Sequence, residues 1–298
     1  MAPDRRGTTI ALLYGVLVTV WGLNYLFVAW GLALSPPLWL ASLRAGLGAL
    51  GALVFVAGTR RLGALDRRGR RDAVLLGFPN TALFFGLWFI AGRYVPPGQT
   101  AVLIYTFPLW VALLSAVLMQ YRMNGLQLLS VAGGFGGVIL VSQPWAGAAT
   151  SLPVVPVALL LLGAISWAVG TIVFKNRFRG EEVHAANFYQ LVGGTIGLLA
   201  ASVFVEPQGF APSLHLLGVV VWLGFVGTAF AYMIWFWLLD RFHAATLSAY
   251  VFLVPVVALS ASVALIGERL SVPQVAGVLL VLLSIYGTAR SAGVPSGS

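Results

Sequence analysis

The 298-residue chain has no cysteine, eight acidic residues and three histidines. Without cysteine there is no disulfide framework, thiol nucleophile or thiolate metal site. Charged residues make up 8% of the sequence, against roughly a quarter of an ordinary soluble domain. That is too little polar surface to clothe a water-soluble fold of this size. Disorder is excluded too, because it needs low hydrophobicity and high charge, and 60% of this chain is apolar or aromatic. No HExxH, GxSxG, Walker A or paired-carboxylate motif occurs, so no catalytic machinery is visible and the chain does not read as an enzyme. His184, His215 and His243 lack metal-ligand spacing, and neither a metal nor another cofactor is expected.

What is present is long uncharged runs. A spanning helix needs about 20 mostly apolar residues. Ten such runs lie near 9–31, 38–57, 73–92, 98–118, 125–142, 153–174, 184–205, 215–238, 245–266 and 272–289. They are continuous rather than alternating, which excludes β-barrel strands. The first follows Arg5 and Arg6 as a signal peptide would, but it is too long for an h-region and reads as a retained helix. The fold class expected is an all-α integral membrane bundle of ten transmembrane helices.

The formal charge of +9 would suggest nucleic acid in a soluble protein. Here the placement of the charges points to topology instead. With the N-terminus in the cytoplasm, the inner segments hold Arg5, Arg6, Arg60, Arg61, Arg67, Arg68, Arg70, Arg71, Arg122, Lys175, Arg177, Arg179, Arg241 and Arg290. Only Arg93 and Arg269 fall outside, and Arg44 lies within a span. The positive-inside rule then places both termini in the cytoplasm of a cell inner membrane, beside anionic lipid. Trp30, Trp39 and Trp145 fall at outer span ends, where an aromatic belt accounts for them. No nucleic-acid or obligate protein partner is expected, only membrane lipid and a small-molecule substrate.

The sequence also repeats itself. At an offset of 147, residues 77–131 pair with 224–278 without a gap, and twelve of the 55 pairs are identical. They include Thr81/Thr228, Trp88/Trp235, Phe89/Phe236, Pro108/Pro255, Arg122/Arg269 and Gln127/Gln274. At 146 the earlier helices pair, with Trp21/Trp167, Gly48/Gly194 and Arg44 opposite Gln190. The expected organisation is two five-helix halves, residues 8–143 and 152–290. Five is odd, so the second half enters the membrane inverted. Such repeats supply two near-equivalent states, open to either side, around a midplane substrate site. Pro108 and Pro255 fall near that level and are hinge candidates, the other reading being a packing kink.

Within the spans the only charge is Arg44. It can meet a substrate carboxylate, snorkel to headgroups, or bond neighbouring carbonyls. Trp21, Asn24 and Tyr25 share a face of the first helix; Asn80, Phe84 and Trp88 form a stripe on the third; Thr228, Tyr232 and Trp235 form one on the eighth. Such stripes suit an amphipathic ligand with a flat apolar part, or helix packing alone. No Asp or Glu lies mid-span, since Asp72, Asp240 and Glu268 are at ends. Neither a carboxylate proton relay nor a counter-ion for a cationic drug is evident, and too few bases face inward for a phosphorylated substrate.

Several motifs carry a family resemblance. They are WGLNY at 21–25, FPLWVALLSAV at 107–117, SWAVGTIVFK at 166–175, GTAFAYMIWFWLLDR at 227–241 and VPVVALSASVALIGERLSVPQVAG at 254–277. These resemble the drug/metabolite transporter superfamily, in particular its EamA-type ten-helix exporters. In the first half Gln120, Tyr121 and Arg122 replace the Gly-Glu-Arg turn. The resemblance implies a central cavity formed by helices 1, 3, 4, 6, 8 and 9, with helices 5 and 10 at the periphery. It is greatest to the branch exporting aromatic and other neutral amino acids. The substrate-binding candidates are Trp21, Asn24, Arg44, Asn80, Phe84, Trp88, Tyr105, Trp167, Tyr232 and Trp235. The expected function is export of neutral, aromatic amino acids by alternating access. Efflux of other small metabolites or hydrophobic drugs is the alternative, and a membrane-embedded enzyme or lipid flippase is the alternative from another class.

Overall fold

The computed structural model describes residues 5–118, 124–143, 151–241 and 253–292. Arg122, Trp145, His243, Ser248, Tyr250, the 120–122 turn and the start of the ninth run lie outside the described residues, as do the side chains of Arg5, Arg6 and Arg290. Among the described residues there is no strand. The helices are α1 (Arg5–Leu32), α2 (Pro37–Gly58), α3 (Arg67–Gly77), α4 (Phe84–Ala91), α5 (Pro97–Ile104), α6 (Phe107–Leu118), α7 (Gly125–Ser142), α8 (Val154–Arg177), α9 (Glu182–Val205), α10 (Leu214–Val221), α11 (Ala231–Arg241), α12 (Leu253–Ile266) and α13 (Val272–Ala292). Among the described residues eight stretches are long and apolar enough to cross a membrane, and Leu253–Ile266 and Val272–Thr288 are shorter apolar helices.

Local chemistry sets the boundaries. Asp66 accepts from the Gly69 N–H at 2.6 Å, so α3 starts six residues before the expected span and carries its arginines on helix rather than loop. Asn124 and Gln127 form a capping box at the start of α7, with reciprocal bonds of 2.9 and 3.0 Å. Ser271 and Gln274 repeat the reciprocal pair at α13, at 3.0 and 3.4 Å. The Gln127/Gln274 identity thus has a physical reason, since each ends a connection by satisfying free helix N–H groups.

Three of the spans are not plain α-helix. α3 and α4 are joined by a π-helical segment, Phe78–Leu83, and α10 and α11 by another, Trp222–Phe230. The matched pairs Phe78/Phe225 and Thr81/Thr228 fall inside these two segments. The fourth run breaks at Tyr105 and Thr106, between α5 and α6, just ahead of Pro108. Proline has no N–H for the carbonyl four residues back and its ring clashes there, which accounts for the break.

The helices pack as a bundle with α2 along α9, the α3–π segment on α9, and the second π segment on α2. α1 lies against α12, α8 against α4 and α6, and α5 against α12. α7 packs chiefly with α13, away from the centre. Large apolar side chains on the outer faces are exposed, among them Phe78, Leu75, Val117, Phe204 and Leu283, as expected where lipid replaces water.

Candidate functional site

The centre of the bundle holds a small closed chamber of about 20 Å³, lined by Trp21, Asn24, Tyr25, Arg44, Phe84, Trp88, Tyr105, Trp167 and Tyr232. That is room for about one water molecule, far below the roughly 300–1,000 Å³ typical of open ligand pockets, so a ligand would need the chamber to widen. All nine residues are buried, so the chamber is occluded from both faces. The walls are rings in mutual contact. Trp167 stacks on Phe107 at 3.9 Å between centroids and on Phe84 at 5.1 Å. Trp21 meets Tyr232 at 6.0 Å and Trp235 at 5.3 Å, and Tyr25 lies 4.7 Å from Trp88. A ligand can enter only when these rings part.

Arg44 is 2% exposed, so it does not snorkel. Its guanidinium lies over Phe85 at 4.2 Å and Trp88 at 4.9 Å, and its Nε donates to Thr228 Oγ1 at 2.9 Å. Thr228 Oγ1 in turn donates to the Leu223 carbonyl at 2.8 Å, a bond spanning the five-residue turn of the π segment. Among the described residues Arg44 makes no ion pair, and its Nη1 has no hydrogen-bond partner. The rings hold the cation by their negative faces, but a buried N–H with nothing to donate to is costly. The geometry therefore offers one charged, unpaired donor to the chamber.

A matching acceptor lies on α1. Asn24 Nδ2 donates to the Gly227 carbonyl at 3.2 Å, while its Oδ1 is buried without a partner. Gly227 allows this approach, because a Cβ there would sit 2.6 Å from Asn24 Nδ2. Across the bundle Asn80 packs on Gly170, where a Cβ would come within 2.6 Å of the Asn80 side chain. Asn24 pairs with Gly170 at the 146 offset and Asn80 with Gly227 at 147. The same Asn-on-Gly contact thus occurs twice, with the helix bearing the amide exchanged.

Of the ten expected binding residues, eight line the chamber. Asn80 does not; its Nδ2 donates to Gln190 Oε1 at 2.6 Å, and Gln190 Nε2 to Asn187 Oδ1 at 3.1 Å, between the first π segment and α9. Trp235 is also outside the lining and backs Trp21 and Trp167 from behind. Tyr25 lines the chamber although only its neighbours on the α1 face were singled out as binding residues. Phe107 supports Trp167 without touching the space, and its place in the Pro108 motif was its only sequence signal. Pro108 is the second residue of α6 and Pro255 the third of α12. Metal-binding clusters of histidine and acidic residues are absent among the described residues.

Comparison with known proteins supplies the family. The EamA-like transporter family model matches residues 9–143 and again 155–290. A probable amino-acid metabolite efflux pump of Escherichia coli is 30% identical over 299 residues, with 95% of this chain and 94% of that protein covered. An uncharacterized transporter of Bacillus subtilis, YvbV, is 29% identical over 284 residues, covering 93% and 90%. A crystal structure shares the fold at a TM-score of 0.68 and 19% identity, with 96% of each chain covered. Relatives and family are transporters rather than enzymes, which accords with multiple apolar helices around a closed chamber. The chain belongs to the EamA-like transporter family.

Proposed function

We propose that the protein exports neutral, aromatic amino acids across the cytoplasmic membrane by alternating access of two inverted five-helix halves, residues 8–143 and 152–290. The observation that carries the reading is the unpaired Nη1 of buried Arg44 in an aromatic chamber that Asn24, with its unpaired Oδ1, also lines. A carboxylate on Arg44 and an ammonium near Asn24 would satisfy both groups with charge-assisted bonds. Trp21, Phe84, Trp88, Trp167 and Tyr232 would receive the side chain. The name of the Escherichia coli relative, an amino-acid metabolite efflux pump, supports the same class.

The inverted-repeat reading is supported by how the helices pair. Number the spans in order, counting α3–α4, α5–α6 and α10–α11 as one each. Replacing each span by the one five along turns the 3–7 contact into 8–2, the 1–9 contact into 6–4, and the 3–6 contact into 8–1. All of these contacts are present, and 2–7, 4–9 and 5–10 map onto themselves. Both termini are assigned to the cytoplasm on the arginines of the 60–71 segment and the 175–179 turn.

Flux from proteoliposomes loaded with labelled phenylalanine, leucine or an aromatic cation tests the proposal. Protein-dependent efflux of phenylalanine is expected. Efflux of the cation alone would favour a drug exporter and overturn the amino-acid reading.

A further inference from the structure

Two of the eight acidic residues stand apart from the others. Glu206 follows α9, and its carboxylate accepts from the Leu38 N–H at 3.0 Å and the Trp39 N–H at 3.1 Å, in the first turn of α2. The indole of Trp39 closes the contact by donating to the Glu206 carbonyl at 2.9 Å. Glu268 follows α12, and its carboxylate accepts from the Gly98 N–H at 2.9 Å and the Gln99 N–H at 3.2 Å, in the first turn of α5. Ser262 Oγ also donates to it. Both receiving helices open with Pro-Pro, at 36–37 and 96–97. Proline at the first helical position has no N–H, so the next two N–H groups project together at the positive end of the helix.

Both contacts lie on one face of the bundle, opposite the arginine-bearing 60–71 segment, and each crosses between halves. Glu206 ties the second span to the seventh; Glu268 ties the fourth to the ninth. The clasped helices are also those that carry the chamber. Arg44 lies six residues along α2 from Leu38, roughly 9 Å at 1.5 Å per residue, and Tyr105 ends α5. On the other face, among the described residues, Lys175 Nζ donates to the Leu239 and Asp240 carbonyls and the Gly180 N–H to the Asp240 carboxylate, all within the second half, and the tie that crosses between the halves is an ion pair. There Arg177 Nε meets Asp72 Oδ2 at 3.0 Å between α8 and α3, with both side chains partly exposed. Exposed pairs of this kind contribute little, whereas carboxylates buried on paired backbone N–H groups form stronger, charge-assisted bonds.

We propose that Glu206 and Glu268 are the paired clasps of the external gate, holding the chamber shut on the outer face while the weaker cytoplasmic closure opens first to load substrate. This rests on the alternating-access reading above. Such an asymmetry suits an exporter, which must be readier to open toward the compartment where its substrate is made. The two helices swing outward only when the carboxylates leave their N–H pairs.

The cysteine-free sequence permits a direct test. A single cysteine at Thr100, the residue after the Gly98–Gln99 pair held by Glu268, reports outer access to an impermeant maleimide added to intact cells. A second, at buried Ala168 on α8, reports inner access in inverted vesicles. In the double variant Glu206→Gln, Glu268→Gln the outer rate is expected to rise by about tenfold or more, the equivalent of about 1.4 kcal/mol, while the inner rate falls. Unchanged rates would overturn the proposal. A rise in both, with a lower melting temperature, would assign the carboxylates to stability alone and overturn it too. The unmutated protein's phenylalanine flux is measured in parallel, and its absence would defeat the exporter reading whatever the cysteine rates.

Discussion

Substituting Gly227 by alanine would place a methyl group where the Asn24 amide now lies, 2.6 Å from its Nδ2. Asn24 is fully buried and bonded to the carbonyl of that same glycine, so it cannot retreat without losing the bond. Overpacking of this sort costs about 1–3 kcal/mol, and the interhelical bond adds about 0.6 kcal/mol on average within a membrane. The strain falls where the second π segment meets α1, one residue from the Thr228 hydroxyl that orients Arg44. Stability and transport should therefore fall together. Unfolding in mixed micelles should show a loss of about 2–3 kcal/mol on these terms, and phenylalanine efflux should drop by roughly tenfold or more, since 1.4 kcal/mol is a factor of ten. The decisive arm is the double variant with Asn24→Ala, which removes the clashing amide. There Gly227→Ala should cost less than 1 kcal/mol, giving a coupling energy of about 1–2 kcal/mol between the sites. An additive double variant, or a single variant as stable as its parent, would refute the reasoning.

Trp167→Ala removes a ring stacked between Phe84 and Phe107; it should lower unfolding free energy by about 3–5 kcal/mol, whereas Trp167→Phe should keep most of the stability and slow efflux of aromatic substrates more than of leucine. Pro108→Ala lets the α5–α6 break begin to close; turnover should fall by roughly tenfold if the break is a hinge, while melting temperature holds or rises. Replacing Arg67, Arg68, Arg70 and Arg71 by glutamine removes four inner bases, and a C-terminal reporter should then show a mixed orientation where the parent shows a cytoplasmic one.

Much of the chamber was legible in the sequence because its chemistry is rare in a lipid-facing chain. Arg44 stood out as the lone charge inside a span, and Trp21, Trp88 and Trp167 were marked by repeat or stripe. What could not be read was partnership across the bundle. Asn24 and Gly227 are 203 residues apart, and nothing local to either announces the other. The π segments were also hidden, because widening a helical turn leaves no compositional mark; the coincidences of Phe78 with Phe225 and Thr81 with Thr228 hinted that something was repeated there. Asn80 and Trp235 share their stripes with true lining residues, yet a stripe on a helix covers a wide arc, and both fall on its back edge. Glu206 read as a loop acid and Glu268 as an acid at a span end, and neither reading announced the N–H pair of a Pro-Pro helix start that each carboxylate occupies.

Arg44 is the group proposed to meet a substrate carboxylate. Tryptophan fluorescence of the purified protein, titrated with phenylalanine and with phenylalanine amide, tests this most directly, because the two ligands differ only at the carboxylate. A charge-assisted bond contributes about 1.5–3 kcal/mol, so phenylalanine should bind roughly 10- to 150-fold more tightly, and Arg44→Gln should erase the difference while the protein stays folded. Equal binding of both ligands to the unmutated protein, or a preference that survives Arg44→Gln, would contradict it.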